Sequence, residues 1–333
     1  MNKIILITIG DPAGIGPEVA LKACQKINHS LNAILIGDSI VLKEAVKLVN
    51  PDIILRKILN PSEALFTEGT INYIDLNIVK DSFVRCTADA LNGLASAQYI
   101  KKAVEILLQK QAHAMVTAPI TKDALRLANI PFPGHTEMLA DLTDTKDYAM
   151  MLIGGGLRVM LVTIHRSIKD VPSLITTDKV YQTIKMANLS AQMLRLKSRR
   201  IAVCGLNPHA GENGMFGREE IDYIKPAILK AVSEGIDVTG PYPPDTIFYK
   251  AYHKETDIIV AMYHDQGLIP LKMIAFDKGV NVTIGLPIIR TSPDHGTAYD
   301  RAWRCIAKPD SMIEAIKLAN KLKLPLGNGF KGK

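Results

Sequence analysis

Three histidines stand just past short apolar runs: His165 in VMLVTIHRSIKD, His209 in VCGLNPHAGENG and His264 in IVAMYHDQG. Imidazole nitrogen suits zinc and other borderline divalent ions, and three protein ligands leave a position open for a substrate. Their wide separations carry no local metal signature, so three separately hydrogen-bonded histidines are the competing reading. A second group suits an anion. His135 and Thr136 occur in PGHTE, Lys272 in IPLKMIAF, Asn281 in GVNVTIG and Arg290 in IIRTSPDHGT. A phosphate needs charge-assisted donors, and an arginine fork supplies two parallel ones. Lone lysines and arginines are usually surface cations, but Arg290 follows the apolar run 284–289 and is expected to leave a buried strand at its end. Asp245 in GPYPPDTIF and Asp265 beside His264 are the nearest carboxylates, able to orient an imidazole or move a proton. For Asp245, turn and N-cap chemistry explains Pro-Asp-Thr equally well. Glu212, Glu219 and Glu220 follow the His209 segment and read as first-turn helix residues with no assigned role.

These residues need elements that bring them together. Short β-rich runs at 3–9, 31–36, 114–117, 148–153, 157–163, 200–204 and 256–262 alternate with helical patterns, which specifies an α/β architecture. Ile100, Ala103, Val104 and Leu107 recur at the spacing of a helix with one buried face. Such sheets place binding groups in loops beyond the carboxyl ends of their strands, where the three histidines can converge. A chain of 333 residues exceeds the size at which one core usually keeps growing, so two lobes are expected. ANIPFPGHTE is a candidate crossing between them, IGLPIIRTSPDHGT a candidate return, and the helical segment 311–323 then rejoins the first lobe. This gives 1–128 plus 286–333 for the first lobe and 129–285 for the second, with a ligand cleft between them.

An apolar content of 47% and a charged content of 22% are ordinary for a globular protein, and no apolar run approaches the roughly 20 residues of a membrane span. Met1 is followed directly by a strand, so no signal peptide is expected and the cytoplasm is the expected compartment. Cys24, Cys86, Cys204 and Cys305 form no CxxC pair, which argues against a disulfide framework and a cysteine metal cage. The net charge of +7 raises the question of nucleic acid, but only 5% of residues are aromatic. The one dense basic cluster, 195–200, ends a predicted helix, where cations complement the macrodipole. A small anionic substrate explains the excess better; neither nucleic acid nor membrane is an expected partner. The stretch ITIGDPAGIGPEVALKA misses the GxGxxG spacing and lacks GK[ST], so it reads as a tight strand-to-helix turn. Pro17 falls in the first helical turn, where its missing N–H has no intrahelical partner.

GDPAGIGPE, PGHTE, GLNPHAGENG, GPYPPDTIF, YHDQG, GVNVTIGLPIIRTS and DHGTA, in this order over residues 10 to 298, together resemble the 4-hydroxythreonine-4-phosphate dehydrogenase family of pyridoxal phosphate biosynthesis. The resemblance implies two α/β lobes around a cleft, similar to isocitrate and isopropylmalate dehydrogenases and without a true Rossmann site. It implies that His165, His209 and His264 hold a divalent metal, zinc or alternatively cobalt or magnesium. One of the three would arrive from the partner subunit of a homodimer whose interface lies on the second lobe. His135, Thr136, Lys272, Asn281 and Arg290 match substrate-binding positions, with Lys272, Asp245 and Asp265 as candidate acid–base groups. DHGTAYD resembles the adenine-side loop of the isopropylmalate relatives, which places His295, Gly296, Thr297 and Ala298 near NAD. GDPAGIGPE resembles the first strand-to-helix turn of those relatives and is not counted among the binding residues.

The implied reaction is oxidation at C3 of 4-phosphohydroxy-L-threonine followed by decarboxylation to 3-amino-2-oxopropyl phosphate. NPHAGENGMFG, PPDTIF, AMYHDQGLIPLK and RTSPDHGTAYD are closer to a sister branch acting on D-threonate 4-phosphate or D-erythronate 4-phosphate, which would give dihydroxyacetone phosphate. Phosphate acetyltransferases share the broad fold, so a phosphate acyltransferase-like enzyme and a non-catalytic phospho-acid binding dimer are the remaining alternatives.

Overall fold

Ile5, Leu6 and Ile7 are successive residues, and each is fully buried. A strand covered on both faces is written as a continuous apolar run, the mark of a central strand in a parallel sheet. In the computed structural model, which describes residues 3–27 and 30–325, these residues form β1 (Ile4–Thr8). There follow α1 (Gly16–Ile27), β2 (Asn32–Gly37), α2 (Ser39–Val49), β3 (Ile54–Ile58), β4 (Thr70–Asp75), α3 (Ala90–Leu108), β5 (Ala114–Thr117), α4 (Lys122–Leu127) and α5 (His135–Leu142). The chain continues through β6 (Ala149–Gly154), β7 (Leu157–Leu161), α6 (Val171–Leu174), α7 (Thr177–Met193), β8 (Ile201–Cys204), α8 (Lys225–Ser233), β9 (Val238–Tyr242), α9 (Pro244–Tyr252), β10 (Ile258–Ala261), α10 (His264–Ala275) and β11 (Val280–Ile284). It ends with β12 (Arg290–Pro293) and α11 (Asp310–Lys321). Strands and helices alternate as the sequence pattern specifies, and the fold is α/β.

The chain divides into two units. The first holds the described residues up to Lys146 together with Leu286–Leu322. Its strands run in the order β3-β4-β2-β1-β5-β12, all parallel. Helix α3 buries the expected stripe of Ile100, Ala103, Val104 and Leu107. Its first turn is closed by Asp89, whose carboxylate accepts from Leu91 N at 2.9 Å and Asn92 N at 3.3 Å. The expected crossing after residue 128 is displaced, because α5 packs on α3 and residues 129–146 remain with the first unit.

The second unit contains Asp147–Gly285, with strand order β11-β6-β7-β10-β8-β9. Strand β6 runs antiparallel to both neighbours, whereas β7, β10, β8 and β9 are mutually parallel. Its core joins Val159, Leu161, Ala202 and Ile259 from the strands to Phe248 of α9 and Leu271 of α10. The run 284–289 is not the strand the sequence suggested. Gly285 takes φ 103, and a Cβ there would lie 2.3 Å from the Asp147 carbonyl oxygen, so the chain turns and Arg290 begins a strand instead of ending one.

Candidate functional site

In the second unit the three histidines leave the carboxyl ends of three adjacent parallel strands. His165 lies beyond β7, His264 is the first residue of α10 beyond β10, and His209 lies in the segment beyond β8. The His165 and His264 ring centroids are 5.7 Å apart. Two imidazoles sharing one zinc at the usual Zn–N length of about 2.0–2.1 Å place their ring centres about 5 Å apart, so this pair fits a common divalent ion. His264 Nδ1 is bonded to the Asp265 carboxylate at 2.7 Å, which orients the ring and leaves Nε2 as the nitrogen that could meet a metal. Gln266, buried beneath them, accepts from Met262 N at 2.7 Å and donates to the Gly205 carbonyl at 2.9 Å, tying the end of β10 to the start of the His209 segment. At Gly267 a Cβ would lie 2.7 Å from Val159 Cγ1, so only glycine lets α10 approach β7 this closely. The four letters HDQG thus each have a physical role.

His209 does not join the pair. Among the described residues, no group of three or more His, Cys, Asp and Glu side chains is arranged to hold a metal ion. His209 is exposed and lies in a run of five left-handed residues, His209 to Asn213, with φ values of 52, 52, 82, 42 and 55. Four of these carry a Cβ, and each costs roughly 1–2 kcal/mol in that conformation, so the surrounding structure must hold the turn. Its ring stands 6.2 Å from that of Phe216.

Of the residues expected to bind an anionic substrate, Arg290, His135 and Thr136 belong to the first unit. Arg290, 3% exposed, lies beside β5 and donates to Thr117 Oγ1 through Nε at 3.1 Å and Nη2 at 2.8 Å. Burial lowers its pKa to about 10, and Glu137 partly opposes this; it remains cationic at neutral pH. His135 opens α5, with one imidazole nitrogen bonded to the Ala118 backbone and Nε2 buried without a protein partner. Burial, reinforced by the nearby Arg290 charge, holds its pKa well below the ordinary histidine range, so the ring is neutral. Thr136 follows in the same first turn, where helix N–H groups face outward from an uncapped end at Gly134.

Lys272 is half-buried in the last turn of α10, eight positions beyond His264 and so about 12 Å along the helix axis. Asn281 is on β11, and its Oδ1 is buried without a protein partner. Asp245 is exposed in the first turn of α9, where an acidic residue complements the helix N-terminus. His295 and Gly296 are exposed, Thr297 is buried and Ala298 takes φ 44. This segment rests on the glycine turn after β1: the Thr297 carbonyl accepts from Ile15 N at 3.0 Å, Tyr299 donates to Asp11 Oδ2 at 2.6 Å, and Trp303 Nε1 donates to the Pro12 carbonyl at 3.0 Å. Burial raises the Asp11 carboxyl, with the Tyr299 and Ala13 hydrogen bonds opposing; burial and Asp11 raise Tyr299.

The sequence profile of the pyridoxal phosphate biosynthetic protein PdxA matches residues 29–319. The chain belongs to the PdxA family. It is 44% identical to the D-threonate 4-phosphate dehydrogenase of Pectobacterium atrosepticum, over 97% of this chain and 100% of that one. It is 45% identical to the 4-hydroxythreonine-4-phosphate dehydrogenase of Trichlorobacter lovleyi, over 96% and 97% of the two chains. The fold is similar to that of a 4-hydroxythreonine-4-phosphate dehydrogenase from Klebsiella pneumoniae, with a TM-score of 0.91 at 42% identity, covering 96% of this chain and 98% of that one. Like these PdxA-family dehydrogenases, the chain is an oxidoreductase of the class that acts on CH–OH groups. Sequence reasoning missed Asp11, Tyr299, Glu220 and Gln266 in this PdxA chain. Each acts through hydrogen bonds between distant segments, and no spacing rule marks them; only the adjacency of Gln266 to HD was a usable signal.

Proposed function

We propose that the chain is an NAD- and divalent-metal-dependent dehydrogenase that oxidises C3 of 4-phosphohydroxy-L-threonine, which then loses carbon dioxide to give 3-amino-2-oxopropyl phosphate. The observation that carries this reading is that His135 Nε2 and Asn281 Oδ1 are buried without protein partners, at two positions where the family resemblance puts substrate. Buried polar atoms are nearly always paired, and a bound ligand is one way such atoms are satisfied. Arg290 and the first turn of α5, with Thr136, would receive an anionic group of the substrate. Neutral His135 would fix a substrate oxygen through Nε2 without adding charge. Lys272 would hold the phosphate or return a proton after decarboxylation, and Asp265 would keep His264 oriented.

His165 and His264 of one subunit, with His209 of another copy, would hold the metal, zinc or alternatively cobalt or magnesium, while His295, Gly296, Thr297 and Ala298 would take NAD. When bound, these groups supply a Lewis acid for the C3 oxygen and a hydride acceptor. A homodimer is supported by the exposed apolar face of α10, where Ile269, Met273 and the following Phe276 are 66%, 80% and 77% exposed. Met215 and Phe216, just past the His209 turn, are exposed as well. Among the described residues no helix is long and apolar enough to cross a membrane, and we place the enzyme in the cytoplasm.

A second reading, the same chemistry on D-threonate 4-phosphate or D-erythronate 4-phosphate, is supported to a similar degree by the 44% identity to a D-threonate 4-phosphate dehydrogenase. The substrates of the two branches differ by an amine or a hydroxyl at C2, a difference that a site built to pair with one group can discriminate strongly. NADH formation, measured with both acids side by side and with zinc, cobalt or magnesium added to stripped protein, tests both readings. Turnover of one acid with a metal requirement is the expected result. NADH from neither acid, or full activity after metal removal, would overturn the dehydrogenase reading.

A further inference from the structure

We propose that Glu220 is the positioning residue that sets His209, by clamping the left-handed turn on which that histidine is carried. The inference rests on the reading of His209 as a metal ligand. Glu220 is 3% exposed, and each of its carboxylate oxygens is used. One oxygen accepts from the backbone N–H groups of Leu206 and Asn207, both at 2.7 Å. The other accepts from the Asn207 side-chain amide at 2.9 Å, and Glu219 accepts from the same amide nitrogen at 2.8 Å. The charge is therefore met by amide donors at the entrance to the turn. These bonds hold the two residues immediately before Pro208 and His209, so they fix the direction in which the chain enters the left-handed run.

The carboxylate also fills the hollow inside the turn. A Cβ on Gly211 would lie 2.7 Å from Glu220 Oε2, and one on Gly205 would lie 2.9 Å from Oε1. Gly205 and Gly211 of GLNPHAGENG thus leave room for this side chain. Glu220 itself begins a π-helical turn, Glu220–Ile224, that leads into α8. Such wide turns interrupt the regular helical spacing of side chains, and here two successive acids, Glu219 and Glu220, both reach Asn207. Five residues in a conformation that side chains normally avoid do not persist unless they are held from outside, and Glu220 is the buried group that does so. Its role is that of an outer-sphere partner: it touches neither substrate nor metal, yet determines where a ligand stands.

The test compares wild type, Glu220→Ala, Glu220→Gln and His209→Ala as full-length protein. Three measurements are made: amide hydrogen exchange over residues 205–217, cobalt(II) affinity with its visible absorption spectrum, and kcat and KM for the phosphorylated acid. In Glu220→Ala, exchange protection over 205–217 is expected to fall at least about tenfold and cobalt affinity about 10–100-fold, the usual cost of losing an outer-sphere partner. The loss should fall on kcat more than on KM. Glu220→Gln keeps the volume and one acceptor oxygen and should recover part of each effect, and it carries the test alone if the alanine variant does not fold. Unchanged exchange in the Glu220 variants would overturn the proposal. So would loosened exchange with wild-type cobalt affinity and spectrum, provided His209→Ala does weaken cobalt. If His209→Ala itself binds cobalt as wild type does, the failure lies in the reading of His209 as a ligand, and the positioning role falls with it.

Discussion

Two candidate groups of the first unit, Arg290 and His135, have buried polar nitrogens, whereas two of the second, His165 and His209, stand exposed on connecting segments. Arg290 and His135 sit at the start of a strand and of a helix, and their surroundings suppress alternative states: Thr117 takes two of the guanidinium N–H groups and Ala118 one imidazole nitrogen. His165 and His209 are exposed and His264 is half-buried; Asp265 orients the His264 ring, while Gln266 and Glu220 bond the segment that leads to His209. The contrast is between a buried, hydrogen-bonded pair proposed to meet an anion and a more open histidine set of which one chain brings two imidazoles together. Burying a cation is costly unless it is paired, so the first kind of set is tied to folding; the second is tied to loop geometry and to what docks beside it.

The sharpest way to break this comparison is to remove one member of the histidine pair. His165→Ala or His264→Ala is expected to lower kcat/KM by about 10³-fold or more while leaving the thermal midpoint close to wild type, because neither side chain belongs to the buried core. Paired NADH assays and thermal melts report both. Arg290→Lys should cost about 2–4 kcal/mol in kcat/KM, roughly 30–1000-fold and mainly through KM, because an ammonium cannot reproduce the fork that spans Thr117 and an anion. Unlike the histidine variants it should also lower the melting temperature. Replacing Met273 and Phe276 together by lysine should convert a dimer to monomers in sedimentation velocity and lower turnover at least tenfold if His209 serves a second copy. A monomeric double variant with full turnover would remove the shared-site reading.

A smaller effect separates the units by pH. His135 has a folded-state pKa well below its unfolded value of about 6.5. Below pH 6.5 the unfolded chain takes up a proton that the folded chain refuses, so stability falls as pH falls toward the folded-state pKa, by at most about 1.4 kcal/mol per pH unit for one group. His135→Gln should flatten the decline of the melting temperature between pH 7 and pH 5. An unchanged slope in that variant would show that the buried imidazole is not the group responsible.

How far this was legible depends on the element. Strands β1, β5, β8 and β10 were visible because burial on both faces demands uninterrupted apolar residues. Strand β3, ILRKI, is largely exposed, and β9, VTGPY, contains glycine and proline; both end the strand order of their units, and neither carries a pattern that a strand must have. The apolar run 284–289 misled because hydrophobicity reports burial and not conformation, and Gly285 turns the chain inside it. The histidines, Arg290 and the PGHTE pair were recognisable by type and motif, whereas Glu220 looked like an ordinary first-turn acid.

By itself the sequence determined the α/β alternation, the family and the identities of the groups that bear chemistry, because apolar periodicity and residue type are properties of neighbours along the chain. Only the tertiary structure decided that His165 and His264 converge while His209 stands apart, that the glycine turn after β1 supports the segment from Thr297 to Trp303, and that Glu220 closes around the His209 turn. Those relations join residues distant in sequence through hydrogen bonds and close backbone approach, and such contacts leave no periodicity in the chain that makes them.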